Sequence, residues 1–187
     1  MEHKLKTLTS DDFMNIWGMP KEVARFSSTN LNIQYHTLSQ KERDSVILGI
    51  LKKLDNKEFS VSGAQAKEKW ERGWEENWEI FEKSGYKIES LIPKYIRKDS
   101  PARLYKDFIM PADSWGFENG CRQIFTSWLF KEYFVGVDNV YEFGCGTGMF
   151  LAQIAQMFPK KEFHGIDWIP ASARIIDKLG EVYGWNM

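Results

Sequence analysis

Cysteine is scarce. Cys121 and Cys145 are the only two in 187 residues, too few for a disulfide framework, so a reducing, cytoplasmic setting is expected. The three histidines, His3, His36 and His164, are scattered, and neither cysteine has a partner at metal-ligand spacing. No metal site is expected from this set. Long apolar runs are missing too. Nothing approaches the roughly 18 consecutive apolar residues of a membrane helix, and the stretch from Met1 to Asp12 lacks the apolar core of a signal peptide. An excess of one charge is also lacking. The 25 Lys and Arg against 26 Asp and Glu leave −1, with no basic stripe to track a phosphate backbone, so nucleic acid is not an expected partner. There is no internal repeat and no low-complexity tract.

What is present is apolar and aromatic. The 43% hydrophobic content can build a core, and 8 Trp, 7 Tyr and 13 Phe supply large rings suited to cores, ligand walls and interfaces. The length allows one domain or a small pair. The pattern divides it at 135/136, with a mainly helical, aromatic-rich region over 1–135 and an α/β region over 136–187. In the first, Ser39 to Glu42 reads as a capping box, followed by Val46, Ile47, Ile50, Leu51 and Leu54 at helical spacing and an end near Asp55–Asn56. A second box, Ser62 to Gln65, opens a stretch in which Trp70, Trp74, Trp78 and Phe81 share one helix face, stopped by Ser84–Gly85. A third helix is predicted over 120–134, with Ile124, Phe125, Trp128 and Leu129 inward. Residues 93–119 read as an irregular, aromatic-rich loop punctuated by Pro93, Pro101, Pro111 and Gly116.

After Gly136 the pattern becomes β-α-β-α, the signature of a parallel sheet. Strands are predicted over 140–143 and 162–166, and helices over 149–158 and from Pro170 to about Tyr183. The first strand runs into Gly144-Cys-Gly-Thr-Gly148, and Asp167 follows 19 residues after the last glycine. Alternating glycines tolerate positive φ and let a ligand approach the backbone. An acid at the end of the next strand can accept hydrogen bonds from both hydroxyls of a ribose. A phosphate-binding P-loop needs Lys-Ser or Lys-Thr after its final glycine, whereas Met149 and Phe150 stand there, and no Lys or Arg occurs from Asn139 to Pro159. Met149 also occupies the small-residue position of a dinucleotide fingerprint, which weakens that reading and leaves it open.

The run from Glu142 to Gly148 with Asp167, and Gly-Ile-Asp-Trp-Ile-Pro at 165–170, resembles the class I S-adenosylmethionine-dependent methyltransferases over residues 137–183. The resemblance implies an α/β fold in which a helical N-terminal region precedes the first β-α-β-α half of a Rossmann-like methyltransferase domain. It implies S-adenosylmethionine as cofactor, held by Glu142, Gly144, Cys145, Gly146, Gly148, Asp167 and Trp168, the last packing on the adenine. Family members continue with further strands that complete the sheet and much of the substrate site. The expected activity is methyl transfer to a small-molecule acceptor. No residue is nominated as a general base, and His164, inside a strand, reads as a packed residue. Two other function classes stay open: a non-catalytic, partner-binding helical module with a remnant cofactor site, and an NAD-dependent oxidoreductase.

Overall fold

The computed structural model describes residues 4–31, 33–58, 66–93 and 100–187. The fold is mixed α/β, and the chain forms two compact units, one from residues 1–60 and 95–124 and the other from 61–94 and 125–187. This grouping differs from a boundary at 135/136. The tryptophan helix belongs with the C-terminal β-α-β-α segment, because the residues it packs on lie there.

In the first unit, β1 (Lys6–Thr7), α1 (Ser10–Trp17), α2 (Lys21–Asn30), β2 (Gln34–Thr37) and α3 (Gln40–Asp55) precede β3 (Ala102–Leu104) and β4 (Asp107–Pro111). The four strands form one antiparallel sheet in the order β1-β2-β4-β3. Thr9 and Asp12 make a reciprocal capping box at α1, and Ser39 and Glu42 make another at α3. Leu8, Phe13, Ile33, Ile109 and Ile124 are buried here. One expectation is corrected. Residues 102–111 form a hairpin, not an irregular loop, and its two-residue turn is carried by Tyr105 at φ 55 in place of the usual glycine. The apolar face of α3 is open: Ile47, Leu48, Ile50, Leu51 and Leu54 are all exposed.

The third predicted helix begins earlier than expected, since α5 spans Ser114–Tyr133. Ile124 is buried as expected, but Leu129 is half exposed and Phe130 is buried instead. The second unit also contains α4 (Lys67–Lys83), a short 3-10 turn (Ile88–Leu91), β5 (Asn139–Phe143), α6 (Met149–Met157), β6 (Glu162–Ile166) and α7 (Pro170–Tyr183). Ser62 to Gln65 and Tyr95 lie outside the described residues, and Ala66 precedes α4 without a side-chain cap. Strands β5 and β6 pair in parallel, with Val140 opposite Phe163 and Phe143 opposite Ile166. Beyond α7, Asn186 forms a parallel bridge with Glu162, and its carbonyl accepts from the Phe163 N–H at 2.8 Å. Helix α6 is buried on most of its surface, where Gln153 Oε1 accepts from Thr126 and its Nε2 donates to Ser127 on α5. Proline at the first turn of α7 suits its missing N–H. Ala171, Ser172, Ile175, Ile176 and Leu179 then form its buried stripe.

The burial pattern makes a direct prediction. Phe81→Ala, at a fully buried ring, is expected to cost about 3–5 kcal/mol. Leu51→Ala on the exposed α3 face is expected to cost less than about 1 kcal/mol. Denaturant unfolding of the two variants checks the difference, and equal losses would contradict the exposure of α3.

Candidate functional site

The site is built where β5 and β6 end. After Phe143 the chain must turn sharply into α6, and Gly144, Gly146 and Gly148 take φ of 73, 53 and 67. The N–H groups of Gly144 and Cys145 both donate to the Ile166 carbonyl, at 2.6 and 3.3 Å, which ties the turn to the end of β6. The Gly148 N–H donates to the Cys145 carbonyl at 2.8 Å.

The three glycines serve different ends. A Cβ on Gly144 would meet nothing within 4 Å, whereas one on Gly146 would come within 3.0 Å of Trp74 Cζ2. One on Gly148 would run into Ile176 Cδ1 of α7. Gly148 is therefore demanded by helix packing, and Gly144 leaves the approach to the loop open. Gly165 on β6 serves packing as well, since a Cβ there would lie 3.0 Å from Cys145 Sγ.

Asp167 sits at the mouth of the same turn. One carboxylate oxygen accepts from the Gly146 N–H at 2.8 Å and the other from the Ile169 N–H at 3.0 Å. Its carboxylate thus joins the glycine turn to the start of α7. Each oxygen carries two lone pairs, so acceptor capacity remains on both. Trp168 beside it is exposed.

Glu142 lies on β5 just before the turn. Burial pushes its carboxyl up to about 7; a hydrogen bond from the Leu151 N–H opposes this and the charge of Asp167 adds to it. Leu151 is in the first turn of α6, whose preceding Gly148 offers no capping side chain, so Glu142 takes over that role from the adjacent strand. Its Oε2 is buried without a hydrogen-bond partner. Cys145 is buried, and burial, with the charges of Asp167 and Glu142, pushes its thiol up to about 12. It stays a thiol near neutral pH and is no nucleophile.

Sequence reasoning thus named residues that the structure brings together: Glu142, Gly144, Cys145, Gly146, Gly148 and Asp167 share one strand-end turn, with Trp168 at its rim. His164 is half-buried, stacks on Tyr141 with ring centroids 4.4 Å apart, and lies 3.3 Å from Glu162. It takes no part in the turn. What sequence reasoning missed is the approach of Trp74, about seventy residues upstream of the loop. The aromatic stripe was the available signal, but helical periodicity does not say which surface a face will meet. Helix α4 packs on α7, where Arg174 pairs with Glu75 and lies 5.2 Å over the Trp78 ring. Among the described residues, no three His, Cys, Asp or Glu side chains gather as metal ligands, and no helix is long and apolar enough to cross a membrane. No family model, no curated protein and no solved structure matches the chain.

Two expectations follow from this geometry. Gly148→Ala combines a positive-φ penalty of about 1–2 kcal/mol with overpacking against Ile176, worth about 1–3 kcal/mol. Gly144→Ala carries the first cost alone, so Gly148→Ala should melt at the lower temperature of the two. The second concerns pH. Between 4.5 and about 7 the folded chain keeps a proton on Glu142 that the unfolded chain has released, so stability attributable to this group falls as pH rises through that window. Glu142→Gln should remove that slope and leave the protein more stable than the parent at pH 8, by up to about 3 kcal/mol. Melting curves across pH 4.5–8 read both effects, and a parent slope unchanged in Glu142→Gln would assign it to other groups.

Proposed function

We propose that the chain binds S-adenosylmethionine and belongs to an enzyme that transfers its methyl group to a small-molecule acceptor. On this reading residues 136–187 are the first half of a Rossmann-like domain, and the enzyme works in the cytoplasm. The observation that carries the reading is the turn itself. A glycine loop with one open approach and two acids meets the end of a neighbouring parallel strand, and no Lys or Arg occurs between Asn139 and Pro159. Ligands of open α/β sheets bind at such carboxyl ends. A site with acids and no base suits a cationic nucleoside better than a phosphorylated one.

The residues present fit that group. Glu142 Oε2, buried and unpartnered, offers an acceptor to a cationic ligand where water is excluded. Asp167 retains lone pairs for ribose hydroxyls while holding the loop and α7 in register. Gly144 leaves room for close approach, and Cys145 and Gly148 keep the loop tight beneath it. Trp168 offers an exposed ring beside the ribose acid. When bound, S-adenosylmethionine supplies a methyl group already activated on a sulfonium, so the chain's contribution is to bind, orient and exclude water. A base is required only where the acceptor must lose a proton. A second reading, a partner-binding module, is favoured by the exposed apolar face of α3.

Calorimetric titration with S-adenosylmethionine, S-adenosylhomocysteine, NAD and ATP tests the proposal. The first two should bind and the others should not; tighter binding of NAD would overturn it. Asp167→Asn exchanges a charged acceptor for a neutral one, which at about 1–2 kcal/mol is on the order of a 5- to 30-fold loss of affinity. Because Asp167 also holds two backbone N–H groups, Asp167→Ala should lower the melting temperature as well, and parallel melting curves separate the two effects. Affinity should fall as pH drops below about 7 and Glu142 becomes neutral, with Asp167 and Cys145 its ionisable neighbours. Glu142→Gln should flatten that dependence.

A further inference from the structure

Helix α4 carries three tryptophans at four-residue spacing, and their surroundings differ. Lys69 lies 5.9 Å over the Trp70 ring and Arg174 lies 5.2 Å over the Trp78 ring. Trp74, between them, has no protein cation over it among the described residues, and it is the one that reaches the glycine turn. Its Cζ2, Cε2 and Cη2 atoms lie 3.0–3.4 Å from the Cβ position of Gly146. The side of Gly144 is open, so the approach to the loop is bounded on the Gly146 side by the Trp74 indole. Trp70 packs beside it, with ring centroids 5.6 Å apart and planes inclined by 32°. Both indoles are only half-buried. On β5, Glu142 keeps a buried carboxylate oxygen without a partner.

An indole is the best aromatic partner for a cation, and the attraction grows as water is excluded. We propose that Trp74, with Trp70 packed beside it, is the wall against which the cationic, sulfonium-bearing end of the ligand rests at the glycine loop. The inference rests on the S-adenosylmethionine reading and adds to it a recognition element contributed by a helix about seventy residues upstream of the glycine loop. It makes Trp74 a binding residue that discriminates the methylated, charged ligand from its neutral product. Loss of the charge on methyl transfer would weaken the product's hold on this wall.

The test compares S-adenosylmethionine with S-adenosylhomocysteine, whose sulfur is neutral, on the full chain by calorimetric titration, with melting curves alongside. Trp74→Leu is expected to weaken S-adenosylmethionine about tenfold and S-adenosylhomocysteine no more than about twofold. Trp74→Phe keeps a ring with a weaker quadrupole. It is expected to weaken S-adenosylmethionine about threefold and leave S-adenosylhomocysteine unchanged, and it decides the matter if the leucine variant fails to fold. Equal losses for both ligands, or no loss for S-adenosylmethionine, would overturn the role of Trp74 and leave the cofactor reading standing. A parent protein that binds neither ligand would overturn both.

Discussion

The close approach of backbone to backbone at the ends of β5 and β6 is the constraint on which the second unit depends. Two successive N–H groups, of Gly144 and Cys145, converge on the Ile166 carbonyl, and the next, of Gly146, reaches Asp167. Such convergence needs a chain that curls with positive φ at alternate residues. It also needs neighbours without bulk, which is why Gly165 faces Cys145 and Gly148 faces Ile176. Side chains at those points would press on Ile176, within the buried stripe of α7 from Ala171 to Leu179. One glycine turn therefore sets both the seating of a helix and the open side of the loop at Gly144.

Electrostatics at the turn adds a second constraint. Placing Glu142 in a buried position beside Asp167 stabilises its neutral form, and the Leu151 N–H offsets this only in part. A carboxylate used solely as a helix cap could do that work at the surface, where its charge is solvated. Retaining a second, unpartnered oxygen in a buried position is a cost that a cationic ligand would relieve. The cap explains one oxygen of Glu142, and the proposed cofactor explains the other.

How far the sequence could be read depends on which forces left a trace in it. The β-α-β-α segment was legible nearly to the residue: β6 spans Glu162–Ile166 and α7 spans Pro170–Tyr183, because glycine, proline and short apolar runs mark such boundaries locally. The hairpin of β3 and β4 left no comparable mark. Its turn has Tyr105 and Lys106 where a hairpin normally shows Asn-Gly, and its strands are three and five residues long. Pro111 at the end of β4 read as a loop signal, although proline is tolerated at a strand terminus. For α3, periodicity correctly announced a helix with an apolar face, and the capping box fixed its start. Whether anything covers that face is a tertiary fact that no local pattern carries.

The same distinction governs the aromatic stripe of α4. Its spacing showed that Trp70, Trp74, Trp78 and Phe81 share a side, which describes equally a helical core of the N-terminal region and a cover for something distant. The structure divides the stripe among these uses. Phe81 is fully buried beside Tyr86, with ring centroids 5.4 Å apart. Trp78 meets Arg174 of α7, and Trp74 meets the glycine turn. Along a single helix the rings thus pass from core filling to helix docking to the edge of the candidate site. That gradient explains why the second unit is discontinuous in sequence. The β-α-β-α segment supplies a turn with an open approach, and α4 supplies the aromatic boundary on one side of it. On the proposed reading, a site that discriminates charge needs both stretches of chain.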